Sequence, residues 1–169
     1  MKLLAVSDNH GDRYILTELI DIYHDEVDGM IHCGDSELRP SDSVWDSMTT
    51  VRGNMDFTDE YPVTRIEMFN EPVFVAHGHL HHVKRSLAPL ADEAKQAGAR
   101  FAFYGHTHEP AIDFQDGVWV INPGSIAQPR GKNLHKTYAL VEVTGSTGSV
   151  RYFDENHNEV KTLTASLFV

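Results

Sequence analysis

Six times along this chain a short apolar run stops against a polar cluster. Leu3-Leu4-Ala5-Val6 gives way to Ser7-Asp8-Asn9-His10-Gly11, and Met30-Ile31 leads through His32-Cys33 to Gly34-Asp35. Thr49-Thr50-Val51 precedes Arg52-Gly53-Asn54, and Val73-Phe74-Val75-Ala76 precedes His77-Gly78-His79. Phe101-Ala102-Phe103-Tyr104 precedes Gly105-His106-Thr107-His108, and Val118-Trp119-Val120-Ile121 precedes Asn122-Pro123-Gly124-Ser125. Continuous apolar runs of this length suit strands buried on both faces. In open α/β sheets, ligands bind beyond the carboxyl ends of the strands. Strands that share one edge would therefore bring the clusters together there.

Other segments fill in the architecture. Residues 14–23 carry Ile15, Leu16, Leu19, Ile20 and Tyr23 at helical spacing, with Asp12 placed to cap the start. Residues 89–97 read as a second helix, with Pro89 in its first turn and Gly98 as its stop. Residues 63–69 and 72–76, joined by Asn70-Glu71, read as a hairpin. After Ser125 the chain turns strand-rich: 137–144, a Gly-Ser-Thr-Gly turn, 150–153 and 160–164. Alternating strands and helices followed by strands predict two packed sheets with helices outside them. At 169 residues the chain fits one domain over 1–169.

The clusters carry metal-ligand chemistry. Asp8 and His10 are two apart and can reach one ion from a turn. An oxygen paired with a nitrogen suits Mn, Fe, Zn, Ni or Co better than Ca or Mg. In isolation Asp-x-His reads equally as a helix-capping turn. The Asp35 carboxylate can bridge two cations, and the Asn54 side-chain oxygen is a neutral, hard ligand. His77, directly after an apolar run, reads as a ligand. His79 is placed to touch substrate or to protonate a leaving group. His81 and His82 open a polar segment and read as solvated. His106 and His108, two apart and before Pro110, form the strongest local pair. Cys33 reads as a small core residue.

Charge and cysteine content narrow the partners. The formal net charge is −11, which argues against a long nucleic acid because phosphate backbones need a basic footprint. The single cysteine forms no disulfide within the chain, which fits a reducing compartment. The leading apolar run is too short for a signal h-region, and no stretch approaches the ~20 apolar residues of a membrane span. The sequence therefore reads as a cytoplasmic protein without a membrane partner.

In order, Asp8-x-His10, Gly34-Asp35, Gly53-Asn54, His77-x-His79 and Gly105-His106-x-His108 resemble the signature of the calcineurin-like metallophosphoesterases. The short length and the Asn122-Pro123-Gly124-Ser125…Pro129-Arg130 stretch are similar to the small bacterial and archaeal YfcE-type phosphodiesterases. The resemblance implies a four-layer α/β/β/α sandwich, with two mixed sheets flanked by helices. It implies two divalent ions at the sheet edge. Asp8, His10, Asp35 and His108 would surround one; Asp35, Asn54, His77 and His106 would surround the other, with Asp35 bridging. Manganese heads the implied activators, followed by nickel, cobalt, iron or zinc. The implied reaction is hydrolysis of a small phosphodiester by a hydroxide shared between the ions, without a phosphoenzyme, and Asp35, Asn54 and His79 form its catalytic set.

The chain departs from the wider superfamily at one place. Many members carry histidine directly after the asparagine, whereas this sequence reads Gly53-Asn54-Met55-Asp56. Methionine can neither donate a proton nor carry charge. Small YfcE-type members share this departure, and it leaves His79 as the remaining donor. Arg130 matches the geometry of a phosphate oxygen pair and reads as a substrate contact, or equally as a surface arginine. Ser125 is expected at the same rim. Two rival readings stand beside the diesterase. One is a non-catalytic scaffold of the same fold, as in the small sorting subunit of the eukaryotic retromer complex. The other is a phosphomonoesterase or nucleotidase. The complete ligand series favours an enzyme, and the missing histidine disfavours a monoesterase. Assembly into a homo-oligomer is expected on general grounds.

Overall fold

The computed structural model describes residues 1–168. In chain order the elements are β1 (Lys2–Val6), α1 (Arg13–Tyr23), β2 (Gly29–His32), β3 (Thr49–Thr50), β4 (Thr64–Met68), β5 (Pro72–Ala76), α2 (Ala88–Gln96), β6 (Phe101–Phe103), β7 (Ala111–Gln115), β8 (Val118–Asn122), β9 (Thr137–Thr144), β10 (Thr147–Asp154) and β11 (Ala165–Phe168). One sheet has the order β11-β10-β9-β1-β2-β3 and the other β4-β5-β6-β8-β7. Both are mixed: β1, β2 and β3 run parallel, as do β5, β6 and β8, and the hairpin strands are antiparallel.

The apolar runs sort their side chains by the two-residue period of a strand. Leu3 and Ala5 of β1 join Val73, Val75, Phe101 and Phe103 in a core between the sheets. Leu4 and Val6 face the other way, onto Ile15, Leu16 and Leu19 of α1. Phe74 and Ala76 likewise leave the central core to meet Leu90, Ala91 and Ala94 of α2. Three apolar layers thus separate four layers of secondary structure, the α/β/β/α sandwich that the sequence implies. Each buried leucine or isoleucine of α1 contributes roughly 1.5–3 kcal/mol. Asp12 caps that helix as expected, accepting from Tyr14 N and Ile15 N.

Three readings change. Strand β7 is an addition; it pairs with β8 through the two-residue turn Asp116-Gly117, with φ of 51° and 93°. Asp-Gly between apolar residues is a strong hairpin signal, so the sequence did contain it. The turn after β9 is Gly145-Ser146 alone, because Thr147 already pairs with Thr144 and Gly148 with Val143. Residues 160–164 do not form the last strand. Val160 N donates to Tyr152 O, Lys161–Leu163 make a short 3₁₀ turn, and the edge strand is β11. Val160 and Leu163 are apolar because they pack on the central core from that turn. No helix among the described residues is long and apolar enough to cross a membrane.

Candidate metal centre

Parallel pairing of β1 with β2 starts their outgoing loops side by side. Asp8 N donates to Gly34 O at 3.1 Å and His10 N to Asp35 O at 3.2 Å, which ties one loop to the other. In the second sheet, Gly105 N donates to His77 O at 3.1 Å. The sheets join where His106 N donates to Asp8 Oδ2 at 3.2 Å and His77 Nδ1 donates to Cys33 O at 2.7 Å. Gly105 is required at this seam, because a Cβ there would overlap Ser7 Oγ and Asp8 Oδ2.

Asp8, His10, Asp35 and His108 each offer a ligand atom, and those atoms all lie within 4.8 Å of one another. His108 Nε2 is 3.0 Å from Asp8 Oδ1 and 3.3 Å from His10 Nε2. The other ring nitrogens are occupied: His10 Nδ1 faces Glu37 Oε1 at 2.6 Å, and His108 Nδ1 faces Gln128 O at 2.7 Å. Such partners hold the proton of a neutral imidazole on Nδ1 and leave Nε2 as a lone pair. Asp8 Oδ1 is buried without a hydrogen-bond partner. Two nitrogen lone pairs and an unpartnered carboxylate oxygen therefore face one another, which is unfavourable unless a cation lies among them. Mixed nitrogen and oxygen donors fit a first-row divalent ion.

Beside this group, His77 Nε2 lies 3.2 Å from Asn54 Oδ1 and 3.3 Å from Asp35 Oδ2. Its Nδ1 bond to Cys33 O again turns the lone pair toward oxygen donors. The His106 ring centroid is 5.2 Å from that of His77, and the His79 ring is 5.3 Å from His77. This half is open to solvent at Asn54, whereas Asp8, Asp35, His77 and His108 are buried.

Backbone strain accompanies the donors. Asp8, His10, Asp35, His106 and His108 all adopt positive φ, between 45° and 65°. Non-glycine residues held there cost of order 1–3 kcal/mol each and persist where the surroundings over-determine them. Here the hydrogen bonds between loops do so. Electrostatics are tuned as well. Burial alone would raise the Asp8 carboxyl, but His108 and His77, when they carry a proton in place of a cation, and the Ser7 hydroxyl hold it below its ordinary value. Asp35 is pulled against its burial to about 2 by His77 when that ring is protonated in place of a cation, and by the Met55 N–H. Both are anions at neutral pH. Burial, and then the charge of a protonated His77, depress His106 to about 4, so its imidazole is neutral; the same two causes lower His79.

All seven residues expected as ligands gather here; the two residues assigned to a substrate rim do not. Ser125 is fully buried; it donates to Asp8 O at 2.8 Å and accepts from Ala127 N and Gln128 N. It positions the Asp8 loop and is not a substrate contact. Arg130 is exposed; its backbone N–H meets His108 O, but its side chain lines a separate groove with Glu109 and Leu163. His81 is not solvated: it is buried, with Nε2 2.9 Å from Glu93 Oε2. Cys33 packs in the central core, as expected.

Three residues passed over by the sequence reading support the centre. Asp56 is buried and accepts from Asp35 N at 2.9 Å, Gly53 N at 2.8 Å and Glu37 N at 2.8 Å. One carboxylate thereby fixes the Asp35 and Asn54 loops together. Glu37 orients His10. Arg52, paired with Asp59, shares a groove with Asn54 and His79. The Asp two residues after Asn54 was visible in the sequence, but nothing there told a loop-tying carboxylate from an ordinary turn residue.

Comparison with known proteins agrees with this geometry. Residues 1–146 match the model of the calcineurin-like phosphoesterase superfamily domain. The probable metallophosphoesterase YsnB of Bacillus subtilis is 34% identical over 96% of both chains. The phosphodiesterase MJ0936 of Methanocaldococcus jannaschii is 28% identical, over 73% of this chain and 83% of that one. A crystal structure of an uncharacterized predicted phosphoesterase from Streptococcus pneumoniae superposes with a TM-score of 0.96 at 34% identity, covering 99% of this chain and 97% of the other. A buried carboxylate and histidine lone pairs turned inward at the meeting edge of two sheets, together with these matches, place the chain in the calcineurin-like phosphoesterase superfamily.

Proposed function

We propose that this metallophosphoesterase is a divalent-metal-dependent phosphodiesterase acting on small phosphodiesters. The observation that carries the reading is the unpartnered Asp8 Oδ1 facing the Nε2 lone pairs of His108 and His10. Asp8, His10, Asp35 and His108 would hold one ion, and Asp35, Asn54, His77 and His106 a second, with manganese first among the candidates. Bound divalent cations lower the pKa of a coordinated water from near 16 toward about 7 and offset charge on phosphoryl oxygens. The chain's own residues do the remaining tasks. Glu37, Cys33 O and Gln128 O hold the three imidazoles in the tautomer that presents Nε2. Diesters are favoured over monoesters because Met55, and not a histidine, follows Asn54. The name of MJ0936 points the same way.

The test uses a bis-aryl phosphodiester. Chelation is expected to abolish its turnover and Mn to restore it. Mn at about 100-fold its Kd contributes roughly 2.7 kcal/mol to the fold. For a chain of this size that raises Tm by about 5–10 °C. A metal-induced rise in Tm without turnover of any ester would sink the enzyme and favour the scaffold reading. Absence of any metal-induced change would sink the metal centre.

Burial, and after it His77, lowers the His79 imidazole below its ordinary value, which suits a hydrogen-bond donor to the phosphate. Hydrogen bonds to charged groups contribute about 1.5–3 kcal/mol. His79→Ala is therefore expected to lower kcat/KM on the aryl diester about 10- to 100-fold, and His79→Gln, still a donor, by less than about 10-fold. Equal losses for the two variants would assign His79 proton transfer instead.

A further inference from the structure

Phe57 is 88% exposed, yet the residue before it, Asp56, is 7% exposed and fixed by three backbone N–H donors. The ring is thus presented at a defined place, one residue beyond the carboxylate that ties the two ligand loops together. Two grooves share Asp56, Phe57 and Thr58 in their walls. One, of about 590 Å³, reaches Asn54 and His79 and includes Leu80. The other, of about 320 Å³, reaches Glu37, whose carboxylate holds His10. The first therefore starts at Asn54 of the candidate centre and the second at Glu37, which supports it, and Phe57 stands in the walls of both. A phosphodiester carries two organic arms on one phosphorus, and a monoester carries one. Two unequal grooves that meet at Phe57 offer room for two unequal arms.

An exposed aromatic wall selects for a flat partner, since ring-on-ring contact removes apolar surface from water and adds a favourable stacking geometry. Resting on the phosphodiesterase reading above, we propose that Phe57 is a specificity-determining residue. It stacks on a planar aromatic group, a nucleobase or aryl ring, esterified to the phosphate. Arg52, paired with Asp59, lines the same groove.

Binding of two products that differ only in the ring tests this. The Mn-loaded full chain is titrated calorimetrically with adenosine 5′-monophosphate and with ribose 5-phosphate. Stacking on an aromatic side chain corresponds to roughly tenfold or more in affinity. The adenosine ligand is expected to bind at least about tenfold more tightly to the wild-type chain. Phe57→Ala should bring the ratio near one without weakening ribose 5-phosphate, and Phe57→Tyr should keep it. Equal affinities in the wild type, or a preference that survives Phe57→Ala, would overturn the proposal. So would a dimer, seen by sedimentation, that Phe57→Ala dissolves while the preference stays, because the ring would then serve a second copy of the chain. If neither phosphate binds the Mn-loaded wild type, the phosphodiesterase reading itself fails, an outcome separate from the loss of ring preference.

Discussion

Asp35→Asn is expected to lower kcat/KM on an aryl phosphodiester by about a thousandfold and to reduce the Mn bound at saturation. Asp35 belongs to both proposed ligand sets, so the substitution removes charge from each while keeping shape. Metal ions supply several kcal/mol of transition-state charge stabilisation, and each 1.36 kcal/mol is tenfold in rate. The amide oxygen can still accept the Met55 N–H that meets Oδ1 at 2.7 Å. Backbone contacts of Asp35 with Asp56 are untouched. In chelator the variant should therefore melt close to the wild type, and the loss is chemical and not a failure to fold. Unchanged turnover with unchanged Mn stoichiometry would remove Asp35 from the centre.

The largest loss of stability is expected from Asp56→Ala. The substitution strands three buried or half-buried N–H groups, those of Asp35, Gly53 and Glu37, and the Ser36 hydroxyl. An unsatisfied buried donor costs about 1–3 kcal/mol. A total of roughly 3 kcal/mol or more corresponds to a fall in Tm on the order of 10 °C. Metal affinity should fall with it, since both ligand loops lose their common anchor. Calorimetric melting in chelator separates the two effects. A variant that melts within about 2 °C of wild type would mean that solvent replaces the carboxylate, and Asp56 would not be the tie between the loops.

These two residues show how far the sequence reaches. Asp35 was legible because it follows a buried apolar run and completes an ordered series with Asp8, His10, Asn54, His77, His106 and His108. Asp56 was not legible as a support, although it stands two residues from Asn54. Its role lies in which backbone groups it accepts from, and two of the three, those of Asp35 and Glu37, lie about twenty positions away in the chain. Ser125 shows the reverse error. Its motif suggested a rim, but only the fold reveals a hydroxyl buried under the Asp8 loop. The final strand was misplaced for a related reason: Val160 and Leu163 are apolar to cover the core from a turn, and periodicity cannot separate that from a strand.

By itself the sequence determined the layers and which candidate donors stand at the strand ends. Apolar runs of strand length must be buried on both faces, and polar clusters at their ends must then share a sheet edge. Only the tertiary structure decided how the donors face one another. Tautomers fixed by Glu37, Cys33 O and Gln128 O, the left-handed backbone at five candidate ligand positions, and the presentation of Phe57 depend on contacts between segments distant in the chain. Hydrogen bonds and strain are set by three-dimensional distances of a few ångströms, which residue order does not encode locally.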